Sequence, residues 1–450
     1  MQASAKKQKK AEKRSFGEWL RCWVIPKAGT DRYITLSMVC LMIFGSAMVI
    51  STNLGTTVGH VRDMYIGIAR QGIFCGMGWV AYCILSRIFN YRKINRAIQW
   101  ILVAGYLALL VYTAVAGIDV NGSKAWISLG IATIQPSEFG KPLLILMLAL
   151  SIHNMKDLPK EKQNFIHVFS IPLVLMLCSV VFVGGLQKDF GSLIITLGIG
   201  FVGIMVPSSK RLKGWQHWLL VFFLVAVILF VIGVYVTDWF TEWFSDVPLV
   251  RHIAVRIANM KNPYLSIHDE GYQPANALYG IADGGLFGQG FGSSVRKYGF
   301  LTQAESDYIL AIVIEETGIL GLGAIVVLYG LLVWRLLYWA LHVKEGADKV
   351  LFTCTAAYFM LHFIINVGGV STLLPMTGVP LLLISAGGSS LLAVCFAIGI
   401  AQARIAAIRP RIEMLQDIEH KSRAAMDEYH SLQNGTAQKK STRRTRRKKA

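Results

Sequence analysis

Charge is scarce in this sequence. Asp, Glu, Lys and Arg together make up 16% of its 450 residues, where soluble domains carry roughly 25%. Hydrophobic residues make up 54%, and the mean hydropathy is +0.50. Soluble chains of this length split into modules joined by polar linkers. No such linker occurs between residues 33 and 403, and no internal repeat is present. A modular soluble protein is thereby excluded. The cysteines are Cys22, Cys40, Cys75, Cys83, Cys178, Cys354 and Cys395, and none forms a CxxC pair. That spacing indicates neither a disulfide framework nor a zinc site. No cleavable signal peptide is expected, because the first apolar run starts near Ile34 and is long enough to span.

Acid is scarcer than base, with 26 Asp and Glu against 45 Lys and Arg and a net charge of +19. Much of the excess sits at the ends: Lys6, Lys7, Lys9, Lys10, Lys13 and Arg14 at the start, and Lys439, Lys440, Arg443, Arg444, Arg446, Arg447, Lys448 and Lys449 at the finish. Such blocks bind anionic surfaces. No nucleic-acid module accompanies them, so the expected partner is acidic lipid headgroups and not nucleic acid.

What the chain does contain is a series of apolar runs, and a bilayer core needs roughly 20 apolar residues per helix. Spans are expected at 34–53, 70–86, 98–117, 140–154, 166–184, 190–206, 216–237, 307–339, 350–371 and 378–403. Lys and Arg set orientation. They crowd loops 87–97, 155–165 and 207–215 and the loop after the eighth span, on the same side as the basic termini. The expected fold class is therefore an all-α integral membrane protein with about ten transmembrane helices. Both termini are cytoplasmic, and one long extracellular loop, 238–306, lies between helices 7 and 8. That loop opens with Trp239, Phe240, Trp243 and Phe244, which suit the membrane interface. The chain divides into a basic segment 1–32, a membrane domain 33–403 and a tail 404–450. In the tail an amphipathic helix is expected at 411–433, followed by a disordered basic end.

Polar groups in or beside spans are costly and mark function. Four clusters stand out, all touching the outer side. The first is Gln135-Pro136-Ser137-Glu138-Phe139-Gly140-Lys141. Ser137 suits a helix cap, while Glu138 and Lys141 at i, i+3 suit an ion pair or an anion site. The second is Gln187-Lys188-Asp189, where Asp189 suits an N-cap, a metal ligand or the orienter of a base. The third runs from Gln273 through the glycine-rich stretch 284–297, with Arg296 and Lys297, to Asp307 and the pair Glu315-Glu316. No strand precedes the glycines, which argues against a dinucleotide loop, but they permit close approach of backbone to a ligand. Asp307 also suits a cap. The fourth is Asn366, Pro375, Gly378, Pro380 and Ser385 with its small neighbours, which permit broken or tightly packed helices and are mainly structural, though Ser385 suits the lining of a cavity. Together they describe an outward-facing polar cavity suited to an anionic, phosphate-bearing substrate.

These residues resemble the SEDS family of bacterial cell-wall polymerases, whose members include FtsW, RodA and SpoVE. The resemblance covers nearly all of 33–403. It is carried by NGSKAWISLGIATIQPSEFGK, QKDFGS, GYQPANALYGIADGGLFGQGFGSSVRKYGFLTQAESDYILAIVIEETG and PMTGVPLLLISAGGSSLLA, in that order. GSSVRK and the long tail look more like FtsW or SpoVE than RodA. There are departures: Lys188 replaces a proline, Glu305 a histidine, Leu383 a phenylalanine and Ala386 a tyrosine.

The resemblance implies a peptidoglycan glycosyltransferase of the bacterial cytoplasmic membrane, at the division septum in the FtsW case. Its substrate would be lipid II, a disaccharide-pentapeptide on undecaprenyl diphosphate. Asp307 matches the family's essential loop aspartate and would be the base or the ligand of an activating cation, Mg or Mn, with Asp189 as a second ligand. Gln135, Glu138, Lys141, Asp189, Arg256, Gln273, Arg296, Lys297, Glu316 and Ser385 would bind substrate, the basic ones facing diphosphate. The implied partners are a class B penicillin-binding protein and divisome or elongation proteins. A lipid II flippase and a non-catalytic scaffold are the competing expectations. Clustering of the motifs on the outer side favours catalysis there, while the altered residues 303–306 keep the scaffold open.

Overall fold

The computed structural model describes residues 23–56, 61–120, 123–128, 130, 133–237, 239–246 and 251–447. The basic residues 6–14, and the basic side chains at 439–449, lie outside what is described. The chain runs through α1 (Arg32–Thr56), α2 (Val61–Ile88), α3 (Arg96–Ala116), β1 (Ile118–Val120), β2 (Ser123–Ser128), β3 (Thr133–Ile134), α4 (Pro136–Asn154), α5 (Ser170–Leu186), α6 (Phe190–Met205) and α7 (Lys213–Val236). Within the long loop come α8 (Trp239–Asp246), α9 (Arg251–Lys261) and α10 (Tyr272–Gly284). The chain then continues as α11 (Ile309–His342), α12 (Gly346–Val370) and α13 (Gly388–Arg447).

Among the described residues, seven helices are long and apolar enough to cross a membrane: α1, α2, α3, α7, α11, α12 and the Gly388–Met414 part of α13. α5 and α6 are shorter apolar helices. α4 is central: from Leu144 to Ile152 every residue is buried, as expected of a helix that is apolar all round. α7 is the opposite. No residue from Lys213 to Val231 is buried; Trp215 stacks on Phe165, Phe223 stacks on Phe201 of α6, and past them Val234 packs with Ile257 and Met260 of α9.

Several local features depart from the sequence reading. Against the expected all-α class, the loop before α4 holds a small antiparallel sheet, order β1-β2-β3, pairing Ile118 with Trp126 and Ile127 with Ile134. Its Ile, Val and Thr residues favour extended backbone. The second span begins at Val61, earlier than expected. The last begins at Gly388. Residues 378–387, apolar enough to be counted in it, cannot be helical, because Gly378 (φ 71°) and Leu383 (φ 65°) are left-handed and Pro380 lacks a donor. The backbone of α13 also stays helical to Arg447, past the expected end of the tail helix. α11 breaks at Gly318 (φ 67°), where any side chain would run into the Leu286 carbonyl.

At the inner face Asp31 closes the bundle. Its Oδ2 accepts from Arg335 Nε at 3.0 Å and Trp339 Nε1 at 2.7 Å, both on α11. Its backbone N–H donates to Gln402 Oε1 of α13 at 2.7 Å. Burial alone would raise the Asp31 carboxyl; the Arg335 and Trp339 hydrogen bonds overcome it and hold the group below the usual range.

Candidate active site

Three helix beginnings and the irregular segment 372–387 meet on the outer side. Asp189 caps α6, its Oδ1 accepting from Ser192 N at 3.0 Å. Its Oδ2 accepts from Gln135 Nε2, which precedes α4, at 2.7 Å. The Gln135 N–H donates to Ser389 Oγ at the start of α13, 2.9 Å away. The cap expected at Ser137 is absent. Gln135 holds the N-cap position without a side-chain bond, Pro136 supplies the first turn, and Ser137 Oγ is buried without a partner.

Asp307 stands two residues before α11. It does not cap that helix, since Tyr308 is the N-cap and makes no side-chain bond. Its backbone carbonyl accepts from Asn366 Nδ2 at 3.0 Å, and the same amide group donates to Val379 O at 2.8 Å. A Cβ on Gly378 would sit 3.3 Å from Asp307 Oδ2, so the backbone at Gly378 lies against the carboxylate and opens the 378–380 floor that Asn366 ties to the Asp307 backbone. Ser385 pins the neighbouring turn: its Oγ donates to Ser306 O at 2.8 Å and accepts from Leu381 N at 2.8 Å. Ser385 is therefore a brace, not a free group lining a cavity. All three non-glycine residues with positive φ among the described residues, Lys188, Thr372 and Leu383, lie in these segments. Such backbone costs of order 1–3 kcal/mol each and collects at functional sites.

The electrostatics single out Asp307. Burial pushes its carboxyl up to about 6; the Arg256 charge opposes the rise and the Asp189 charge adds to it. The side chain still reaches solvent in part, so it can meet a substrate. Arg256 is exposed on α9 and its Nη1 donates to Met376 O at 2.9 Å. Buried Ser137 Oγ, Glu138 Oε2, both amide atoms of Gln187, Asn366 Oδ1 and Thr377 Oγ1 have no partner among the described residues.

Beneath Asp307 lies a buried charge pair. Lys141 Nζ is 2.5 Å from Glu138 Oε1 and 3.4 Å from His362 Nε2, with Lys141 only 1% exposed. The ion pair that the i, i+3 spacing suggested is present, and Lys141, which the family resemblance turned toward diphosphate, is committed to it. His362 was missed in the sequence, although an ionisable side chain inside the apolar run of α12 is itself a signal.

The other expected substrate residues form a separate cluster around the α11 break. Lys297 Nζ donates to Glu316 Oε1 at 2.9 Å, Ser51 Oγ at 3.0 Å and Gly292 O at 2.7 Å. Both charged side chains are 0% exposed. Glu316 Oε2 also accepts from Gly292 N at 3.0 Å, and Glu315 from Val295 N at 3.0 Å. The glycine-rich stretch thus cradles the chain's own carboxylates and not a ligand, which explains two acids inside a span. Lys297 and Glu316 are unavailable to substrate in this arrangement. Arg296 pairs with Asp283 at 2.7 Å and lies against Tyr279 and Phe300. Gln273 sits half-buried in the first turn of α10.

For a metal, the described residues hold no group of three or more His, Cys, Asp or Glu placed to bind one. Asp189 and Asp307 do lie near enough to influence each other electrostatically. Two carboxylates with substrate phosphate fit the way Mg²⁺ is usually held.

The model of the FtsW/RodA/SpoVE family, described as a cell cycle protein family, matches residues 31–408. The chain belongs to this family. A relative from Enterococcus hirae, named "Probable peptidoglycan glycosyltransferase FtsW", is 30% identical over 376 residues, 82% of this chain and 89% of the relative. Among solved structures, a chain from work on a peptidoglycan synthase complex that coordinates polymerization and crosslinking aligns with TM-score 0.63 at 24% identity, covering 84% of this chain and 98% of that one. Thermus thermophilus RodA, a rod shape determining protein, aligns with TM-score 0.52 at 24% identity, covering 84% and 96%. These likenesses support the family fold. The matched range begins at Asp31 and takes in Gln135, Asp189, Asp307 and the segment 372–387, the platform of the site.

Proposed function

We propose that this chain is a peptidoglycan glycosyltransferase that polymerises lipid II on the outer face of the cytoplasmic membrane, in cell division. Membership of the FtsW/RodA/SpoVE family and the FtsW-named relatives support the activity. The observation that carries the mechanism is the half-buried Asp307 carboxyl, raised to about 6, held at the meeting of three helix starts beside Arg256. Counting α4, α5 and α6 with the seven long apolar helices, we read ten spans with both ends cytoplasmic.

In the reaction, ionised Asp307 takes the proton of the acceptor sugar's 4-hydroxyl as that oxygen bonds to the anomeric carbon of the growing chain. The bond from that carbon to the diphosphate oxygen breaks, and undecaprenyl diphosphate leaves with the electron pair. Arg256 and the N-termini of α4 and α6 supply positive potential for the departing charge. Asp189, held by Gln135, keeps the mouth of α6 in place. A divalent cation, Mg or Mn, held by Asp189 and Asp307, would neutralise diphosphate charge when bound. The partner we infer is a class B penicillin-binding protein that crosslinks the new strands, as a likeness to a synthase complex favours.

The test is polymerisation of purified lipid II by the full chain with its partner and no other glycosyltransferase. Asp307→Asn keeps shape but removes the charge. It should fold, bind the partner and lose about 10² to 10⁴ in rate. A fully active Asn variant would remove the catalytic assignment and leave the scaffold reading.

A further inference from the structure

Buried His362 touches no solvent and takes no part in the chemistry above. Its two ring nitrogens are both engaged. Nδ1 lies 3.0 Å from the carbonyl oxygen of Pro380, which can only accept, so Nδ1 carries the proton. Nε2 is then the lone-pair nitrogen, and it faces the Lys141 ammonium at 3.4 Å. One turn further along α12, Asn366 holds the carbonyls of Val379 and Asp307. Two consecutive carbonyls, Val379 and Pro380, are thus tied to one face of α12, and they follow Gly378, on which a Cβ would sit 3.3 Å from Asp307 Oδ2. Pro380 has no N–H with which to anchor itself, and the left-handed residues Gly378 and Leu383 on either side rule out helical self-support. The Pro380 carbonyl depends on His362.

We propose that His362 is a positioning residue: its Nδ1–H tether to Pro380 fixes the 378–380 floor and through it the placement of Asp307. The inference rests on the polymerase reading, but one of its tests does not need activity.

Three variants separate the possibilities. His362→Leu keeps bulk and removes both contacts. His362→Asn places a donor where Nδ1 stood and loses the reach to Lys141. His362→Gln places polar atoms near Nε2 and keeps mainly the Lys141 contact. Hydrogen exchange of the full-length protein is followed at the amides of Leu381, Ile384, Ser385 and Ala386, each of which donates a hydrogen bond. Leu and Gln should accelerate exchange there, and Asn should not. In lipid II polymerisation, Leu should lower kcat about 10- to 100-fold with KM and melting temperature little changed, and Asn should stay within about threefold of wild type. Unchanged exchange in the Leu variant overturns the proposal whatever the activity. So does rescue by Gln but not Asn, which would assign the role to the Lys141 contact. A kcat loss that follows the melting temperature would mean that His362 only stabilises the fold. A wild-type chain that polymerises nothing, with the exchange pattern as expected, would count against the polymerase reading and leave the tether standing.

Discussion

The Lys297–Glu316 pair separates a structural from a substrate-binding role most cleanly. Glu316→Gln removes the negative charge and leaves the Lys297 ammonium at 0% exposure. It would retain acceptors at Ser51 Oγ and Gly292 O, at 3.0 and 2.7 Å. Those neutral acceptors cannot offset the Born cost of an unpaired buried cation, and breaking such a pair typically costs about 3–5 kcal/mol. At about 2 °C per kcal/mol for a large chain, the melting temperature should fall by roughly 6–10 °C. Lys297→Met should do the same, by stranding the carboxylate. The double variant removes both charges and should recover most of the loss, giving a coupling energy of about 2 kcal/mol or more. Thermal unfolding of the purified protein in detergent reads the stability. Lipid II polymerisation per folded molecule reads the function, and it should change little at a temperature where the variants remain folded. Single variants with wild-type melting temperature and a large rise in KM for lipid II would refute this reasoning and return Lys297 to the substrate.

Further outcomes are expected. Polymerisation should fall on acidification through about pH 6, because burial raises the Asp307 carboxyl and only its ionised form accepts the proton. Arg256→Ala should move that midpoint upward, since Arg256 favours the charged form; a midpoint that stays or falls would contradict the assignment. Removing residues 435–450 should leave polymerisation largely intact, because every motif lies before them; total loss in a folded truncated protein would make the tail allosteric. A periplasmic-type reporter fused near Ser266 should be active and one near Lys160 inactive, and the reverse result would invert the topology.

The platform was readable where short-range patterns carry it. Gln135, Asp189 and Asp307 stand at helix starts, and both the polar-in-apolar rule and the family motifs point there. The Lys141–Glu138 pair was readable as one option in its i, i+3 spacing. The distant partners were not: Lys141 meets His362 across 221 positions and Lys297 meets Ser51 across 246, and no local pattern signals either. The glycine-rich stretch was correctly read as permitting close backbone approach, but what approaches is Glu315 and Glu316. The segment 378–387 imitated a span because Val379, Leu381, Leu382, Leu383 and Ile384 are as apolar as any helix interior. Pro375 and Pro380, with the left-handed backbone at Gly378 and Leu383, set it apart.

Asp31 has a consequence for biosynthesis. Its charge partner Arg335 is 304 residues downstream and its backbone partner Gln402 is 371 downstream. When α1 enters the membrane, neither exists. The Asp31 Oδ1 can already accept from Tyr33 N and Ile34 N at the start of α1, but its Oδ2 and the Asp31 N–H must stay in water while the intervening helices are made. Burial of that N–H becomes favourable only when Gln402 arrives, because a buried backbone donor needs its acceptor. The bundle is therefore sealed by its last apolar helix. A chain stopped before α13 would hold most of its helices and still lack the latch that joins its beginning to its end.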